Sequence, residues 1–344
     1  MAETGNVERD REDLDLLVRG FQVSRMLRLV ADLGIADKIT RDGVVSVKDL
    51  AAACSVVPEQ LIRVLRALAA FRIFKITADG SVAHTARSIL LRTDTPNSMH
   101  YAARFWTGPG SWKAWGELDI AMTGGTPHEA AWKMGRFAYL RQHPDEARAF
   151  DAMMANFPDN RHAAFAEAYD FSSANLIADI GGGNGAALRH ILSRFSKPRG
   201  LVIDLEDVVG ALTAEDFLQG RIEAQGGDFF ERVPTGADVY LLILVLHDWN
   251  DEDCLRILHA CRVAIGDGGK LLLGEQILEP NPEQGRQAGY LMDIQMMAMF
   301  GQARERTEAE FRSLLEQSGF KLAQIIPTCS PASIIEATPV AASD

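Results

Sequence analysis

What the 344-residue chain lacks narrows its class first. Its four cysteines, Cys54, Cys254, Cys261 and Cys329, show no metal-ligand spacing, which excludes a zinc-finger or disulfide-stapled scaffold and fits reduced thiols in the cytoplasm. No apolar run approaches the roughly 20 residues of a membrane span, and the opening MAETGNVERDREDLDLL has no signal-peptide core, so a cytoplasmic chain without a membrane partner is expected. A basic excess is also missing. Against 35 Lys and Arg stand 47 Asp and Glu, and a formal charge of −12 argues against nucleic acid as the partner. Neither an internal repeat nor a low-complexity segment is present.

What is present is an ordinary globular composition, 47% hydrophobic, in a chain long enough that two domains are the default. From Leu14 to about Leu91 apolar residues recur at three- and four-residue steps, which predicts helices, with Ser46 capping one and Pro58 in the first turn of the next. FKITADGSVAHTA then reads as two short strands around the Asp79-Gly80 turn. The outline is a winged helix, which raises DNA binding. The second helix, EQLIRVLRALAAF, is mostly apolar and leaves only Arg63 and Arg66 for a nucleic acid, so a protein partner, a second copy of the chain, is the better reading. Residues 111–170 read as helical pieces rich in aromatics and methionine, most of them core and some suited to a flat ligand.

From Asn175 the texture alternates strand and helix: LIADIG, GLVIDL, RIEAQGG, DVYLLILVL and KLLLGEQIL, separated by stretches such as AALRHILSRF and DEDCLRILHACRVAI. Strands apolar on both faces belong in a parallel sheet covered by helices, and such sheets bind ligands beyond the carboxyl ends of the strands. The first strand runs into DIGGGNG, where Gly181, Gly183 and Gly185 permit a tight turn and close approach to a ligand. Gly181 to Ala186 also fits the dinucleotide pattern, so a nicotinamide dehydrogenase has to be weighed. The surrounding charges discriminate. Asp179, Asp204, Glu206, Asp207 and Asp228 crowd the strand ends with no Lys or Arg close by, which repels a pyrophosphate and welcomes a cationic ligand with a ribose and an ammonium group. S-adenosylmethionine has these features. Asp204, 23 residues beyond Gly181, stands where a carboxylate receives ribose hydroxyls, whereas Asp179 is either a cofactor contact or a strand-end carboxylate holding loop amides.

DIGGGNG, GDFFERVP, LHDWNDEDCLRIL and ARERTEAEFRSLLEQSGF, in this order and spacing, resemble the homodimeric S-adenosylmethionine-dependent O-methyltransferases of the caffeate, hydroxyindole and bacterial small-molecule type, over essentially the whole chain. The resemblance implies an α/β, Rossmann-like doubly wound sheet preceded by a mainly helical winged-helix dimerisation domain. It divides the chain into a dimerisation domain at 1–110, a connector contributing to the substrate pocket at 111–170 and a catalytic domain at 171–344. It implies S-adenosylmethionine as cofactor, S-adenosylhomocysteine as product and no metal. By position it makes His247 the general base, flanked and oriented by Glu275 and Glu305. Gly181 matches the glycine-loop contact to the methionine part of the cofactor, Asp204 the ribose carboxylate and Asp228 with Phe229 the adenine contacts, and Asp179, Gly183, Leu205 and Met154 are expected to contact the cofactor as well. Asp248, Phe150, Met292, Met296 and Phe300 match the acceptor side.

Two departures matter. Ile243 and Leu244 stand where some relatives carry Lys or Arg near the cofactor, and Phe300 replaces a substrate-binding Asn of plant relatives. The first means that this cofactor contact is lost or replaced; the second favours a flatter, greasier pocket over a phenylpropanoid one. Phe105, Trp106, Met292, Met297 and Phe300 fit a flat polycyclic aromatic acceptor such as a phenazine or anthracycline, although core packing explains each equally well. The chemistry agrees with a His base: a phenol titrates near ~10 and histidine near ~6.5, so an imidazole oriented by carboxylates is suited to take the hydroxyl proton. His100, His128 and His143 read as packing or surface residues. Methylation of a heteroaromatic nitrogen, and a non-catalytic sensor of S-adenosylmethionine, are the alternatives.

Overall fold

Alternating runs of apolar residues close into two separate contact networks. The computed structural model describes residues 2–155 and 161–340. One compact unit comprises residues 1–116 with 136–158, the other residues 117–135 with 159–344, so the 111–170 stretch is shared between them.

In the first unit the helices Gly20–Asp32, Val47–Cys54 and Pro58–Ala70 form where the three- and four-residue steps predict them. Ser46 Oγ accepts the Asp49 N–H at 3.1 Å, closing the first turn of Val47–Cys54, and Pro58 begins the next helix. A small sheet of β1 (Val44–Val45), β2 (Phe74–Ile76) and β3 (Val82–His84), in the order β1-β3-β2, forms the wing, β2 and β3 being the foreseen pair. Ile35, Ile39, Leu50, Leu65, Leu68, Phe74 and Val82 make its core. The helices Ala2–Val18 and Gly20–Asp32 expose Leu14, Leu17, Val18 and Phe21 to solvent.

The second unit is built on β4 (Leu176–Ile180), β5 (Arg199–Asp204), β6 (Ile222–Gly226), β7 (Val239–Ile243), β8 (Lys270–Leu278), β9 (Arg306–Thr307), β10 (Phe320–Pro327) and β11 (Ala332–Pro339). Their order is β10-β11-β8-β7-β4-β5-β6, with β9 paired to the end of β8. The pairs among β4 to β8 are parallel, and β10 and β11 add an antiparallel edge. The five strands read from the sequence are all here; β9 and the edge hairpin are additions. Successive side chains point to opposite faces. Ala178 and Ile180 of β4 pack with Cys254, Ile257, Leu258 and Phe311 of the helices Asp251–Ala264 and Glu308–Gln317. Ile177 packs on the other face with Phe165, Leu188 and Ile191 of the helices Arg161–Ala168 and Ala186–Arg194. Burial on both faces explains why these strands are apolar throughout.

The strand order reverses between β4 and β7, which open a crevice at their carboxyl ends. The glycine loop follows β4 and His247 follows β7, so topology alone sets the two motifs side by side. No described helix is long and apolar enough to cross a membrane.

Candidate active site

Gly181, Gly183 and Gly185 adopt φ of +70°, +55° and +75°, so three L side chains would be strained in this loop. Space is limiting as well. A Cβ on Gly181 would approach Val245 Cγ2 to 3.0 Å, and one on Gly182 would fall 2.8 Å from the Asp179 carboxylate. The glycines therefore let the loop sit on the carboxylate beneath it and against the turn that leads to His247.

Asp179 is only 2% exposed. Burial, reinforced by the nearby Asp204, pushes its carboxyl up to about 7. Its Oδ2 is buried with no hydrogen-bond partner among the described residues. The loop amides go elsewhere: Gly183 N–H donates to Asp204 Oδ2 at 2.8 Å and Leu205 N–H to its Oδ1 at 2.7 Å. Of the two readings of Asp179, the orphaned oxygen favours a group waiting for a cationic ligand over a holder of amides. Asp228 caps its own turn by accepting the Phe230 N–H at 2.8 Å. Phe229 lies against Trp249, ring centroids 6.1 Å apart, and close to Gly181. Leu205 is 55% exposed. A cation does sit beside the loop, which the sequence reading missed: Arg189 donates to the Asn184 carbonyl and to Asp216 Oδ1, the latter at 2.8 Å. Asp216 neutralises it, so the field over the loop stays acidic.

On the other side of the crevice, β7 stops at Ile243, earlier than its apolar run suggests. Leu244 turns left-handed at φ +57°, a conformation that costs a non-glycine residue about 1 kcal/mol, and the chain enters a short helical turn, Leu246–Asp248. The β7–β8 register, Ile243 opposite Gly274, sets Glu275 beside that turn. Glu275 is fully buried, and its Oε1 accepts the N–H groups of Val245 at 3.0 Å and Leu246 at 2.8 Å. Glu305 precedes β9 and so arrives at the same end of β8. Its backbone N–H is held by Asp293 Oδ1 at 2.9 Å.

The three acids named from the sequence converge on the imidazole. Nδ1 of His247 stands 3.3 Å from Glu305 Oε1 and 3.7 Å from Glu275 Oε2, and Nε2 stands 3.5 Å from Asp248 Oδ1. Burial, the largest single influence, would depress the His247 pKa, yet Asp248, Glu275 and Glu305 together raise it to about 10. Burial raises the Glu275 carboxyl to about 7 against the pull of His247 and the two amides. Burial also raises Asp248, with His247 pulling the other way, and raises Asp293. These groups titrate as one cluster. Nδ1 and both carboxylate oxygens lie within 4.8 Å of one another, a donor set that a divalent cation could also use.

The helix Gln287–Phe300 carries Met292, Met296 and Phe300 and packs against the His247 turn; Met296 is buried and the other two are half-buried. Phe150 and Met154 belong to the first unit, on the helix Pro144–Ala155, where Phe150 packs on Phe105 at 5.2 Å and Met154 is 37% exposed. Arg306 was missed. It is wholly buried and bonded to the backbone of the His247 turn. A charged residue in an Arg-Glu-Arg-Thr run gives no sequence signal of burial.

Comparison with known proteins gives the chain's relatives. Residues 115–321 fit the model of an O-methyltransferase domain and residues 16–94 that of an O-methyltransferase dimerisation domain. The phenazine O-methyltransferase PhzM of Lysobacter antibioticus is 37% identical over 94% of this chain and 95% of its own. The 3-amino-4-hydroxybenzoate 4-O-methyltransferase of Streptomyces cremeus is 36% identical over 89% of this chain and 84% of its own. Among solved structures, the mitomycin 7-O-methyltransferase MmcR superposes with a TM-score of 0.88 at 30% identity, covering 98% of this chain and 100% of that one. The neocarzinostatin O-methyltransferase NcsB1, solved with S-adenosylmethionine and 2-hydroxy-5-methyl naphthoic acid, gives 0.77 at 28% identity, covering 92% and 96%.

Proposed function

The chain belongs to the S-adenosylmethionine-dependent O-methyltransferase family, and from that premise we propose that it methylates a hydroxyl group of a small, flat, polycyclic aromatic acceptor of secondary metabolism, with His247 as general base.

 The relatives' names support the acceptor class, since they act on phenazines, hydroxybenzoates and mitomycin, and the methionine- and phenylalanine-bearing helix Gln287–Phe300 beside His247 suits a planar ring. The observation that carries the reading is the imidazole of His247, whose Nδ1 faces both Glu275 and Glu305, set through Val245 against the glycine loop.

The residues present fit the cofactor. Asp179, with its unpartnered buried oxygen, would receive the ammonium group, Asp204 the ribose, and Asp228 with Phe229 the adenine, along a loop whose glycines admit close approach. When bound, S-adenosylmethionine supplies an electrophilic methyl on a sulfonium centre, whose charge is annihilated by a phenolate most readily in a dry site. His247 provides for the phenolate. With its pKa at about 10 the imidazole is mostly protonated at neutral pH. A phenol also titrates near ~10, so a proton placed between Nε2 and the acceptor oxygen moves at little cost. One proton must first leave the imidazolium–phenol pair to solvent; the phenol proton then passes to the neutral imidazole as the phenolate forms, and Glu275 and Glu305 stabilise the imidazolium that results. Asp248, against Nε2, bounds the acceptor side.

The relatives described above are O-methyltransferases, so nitrogen methylation is not favoured, and four converging ionisable groups at the crevice speak against a bare sensor. The test is His247→Ala with hydroxylated polycyclic aromatics, scoring the gain of one methyl by mass spectrometry. Expected is a kcat lower by at least about a hundredfold with cofactor affinity unchanged within about twofold. An undiminished rate refutes the base.

A further inference from the structure

We propose that Arg306 is a positioning residue for the methyl transfer: it clamps the backbone of the His247 turn from the side opposite Glu275, and Asp251 fixes its guanidinium in place. The proposal rests on His247 being the base, and concerns what holds that base.

Arg306 is the largest fully buried side chain among the described residues. Its Nη1 donates to the Leu246 carbonyl at 2.9 Å and its Nη2 to the Trp249 carbonyl at 2.8 Å, the two carbonyls that bracket His247 and Asp248. Nε and Nη2 both donate to Asp251 Oδ1, at 2.9 and 2.8 Å. With a longer bond from Nη1 to the Arg304 carbonyl at 3.4 Å, the planar fork spans four acceptors, a pattern that a lysine ammonium cannot reproduce. On the opposite side Glu275 takes the N–H groups of Val245 and Leu246. Leu246, the residue before His247, is therefore gripped at both of its backbone polar groups, by an anion on its N–H and a cation on its carbonyl.

The turn needs such a grip. It begins with Leu244 in a left-handed conformation, and only surrounding bonds keep a leucine there. Cys254 Sγ adds a weak bond to the Leu246 carbonyl at 3.2 Å, and the Arg304 N–H donates to the His247 carbonyl at 3.0 Å. Arg306 also follows Glu305 directly. The dipeptide Glu305-Arg306, at the entry to β9, therefore reaches the imidazole with its first side chain and the backbone beneath the imidazole with its second. Loss of the clamp would let the ring move relative to Glu275 and Glu305, and small displacements of a base are costly in rate.

The test is a double-mutant comparison in the full-length enzyme: Arg306→Met and Asp251→Asn, each alone and with His247→Ala, followed by kcat, KM, cofactor affinity and thermal midpoint. Expected in the parental background is a kcat lower by about fiftyfold for Arg306→Met and about fivefold for Asp251→Asn, with cofactor affinity within about threefold. With His247→Ala present, each should lower kcat by less than about twofold, because no base remains to be misplaced. A general structural role would lower kcat equally in both backgrounds, and that result overturns the proposal. Should Arg306→Met not fold, Asp251→Asn decides, its carboxamide lying at a half-exposed position: a parental kcat overturns the clamp, and a loss confined to the parental background supports it. His247→Ala at the parental rate refutes the base reading instead, a result separate from either outcome at Arg306.

Discussion

Glu275 faces His247 with one oxygen and holds the residues before it with the other: Oε2 lies 3.7 Å from Nδ1, while Oε1 accepts the N–H groups of Val245 and Leu246. A single buried carboxylate thus sets both the charge around the ring and the path of the chain that carries it.

Glu275→Gln separates these two tasks. The amide oxygen still accepts from the backbone, so the turn survives, but the charge is gone and an NH2 group faces Nδ1. Removing a raising influence must lower the His247 pKa from about 10. A kcat reduced by about thirtyfold is expected, with the acidic limb of the pH–rate profile moved to lower pH by about one unit. A profile with its limb unmoved would separate Glu275 from the titration of the base.

The role proposed for Asp179 would tie cofactor binding to pH. Its carboxyl, raised to about 7 by burial and by Asp204, is largely protonated at pH 5 and largely ionised at pH 8. A cationic ligand prefers the ionised form, so cofactor affinity measured by calorimetry should weaken by up to about tenfold per pH unit below 7 and level off above it. Stability runs the other way. A folded-state pKa above the unfolded one gives a contribution fully present below about 3.9 and lost as pH rises through about 7. Asp179→Asn should therefore raise the thermal midpoint of the unliganded protein more at pH 8 than at pH 5, while flattening the pH dependence of cofactor binding. Equal effects at both pH values would show that Asp179 does not titrate in this range.

Much of this was legible in the sequence, for identifiable reasons. The strands of the parallel sheet are buried on both faces, so their apolar runs stand out, and the glycines at 181, 183 and 185 are required by positive φ. The ends of elements were less visible. Apolarity ran on to Leu246 because the residues after Ile243 are buried in a turn rather than in a strand. The edge strand β10 was passed over because much of it is solvent-facing and its pattern is that of a surface. Ion pairs were least legible of all. Whether Arg189 or Arg306 is a free surface charge or a committed one depends on Asp216 and Asp251, and those pairings exist only in three dimensions.

Self-association gives the last prediction. Leu17 is 76% exposed and Phe21 57% exposed on adjoining helices of the first unit, beside Leu14 and Val18. Apolar residues this exposed and this close together mark a surface that another surface covers, and the match to a dimerisation domain over residues 16–94 points to a second copy of the chain. Replacing both Leu17 and Phe21 by Glu buries two uncompensated charges in such an interface, each costing about 2 kcal/mol or more, so dimer affinity should fall by roughly a thousandfold. Sedimentation equilibrium at micromolar protein should then report monomer where the parent is a dimer, while the fold of the second unit, followed by cofactor affinity, is kept. A double variant that remains a dimer of parental strength would place the interface elsewhere on the unit.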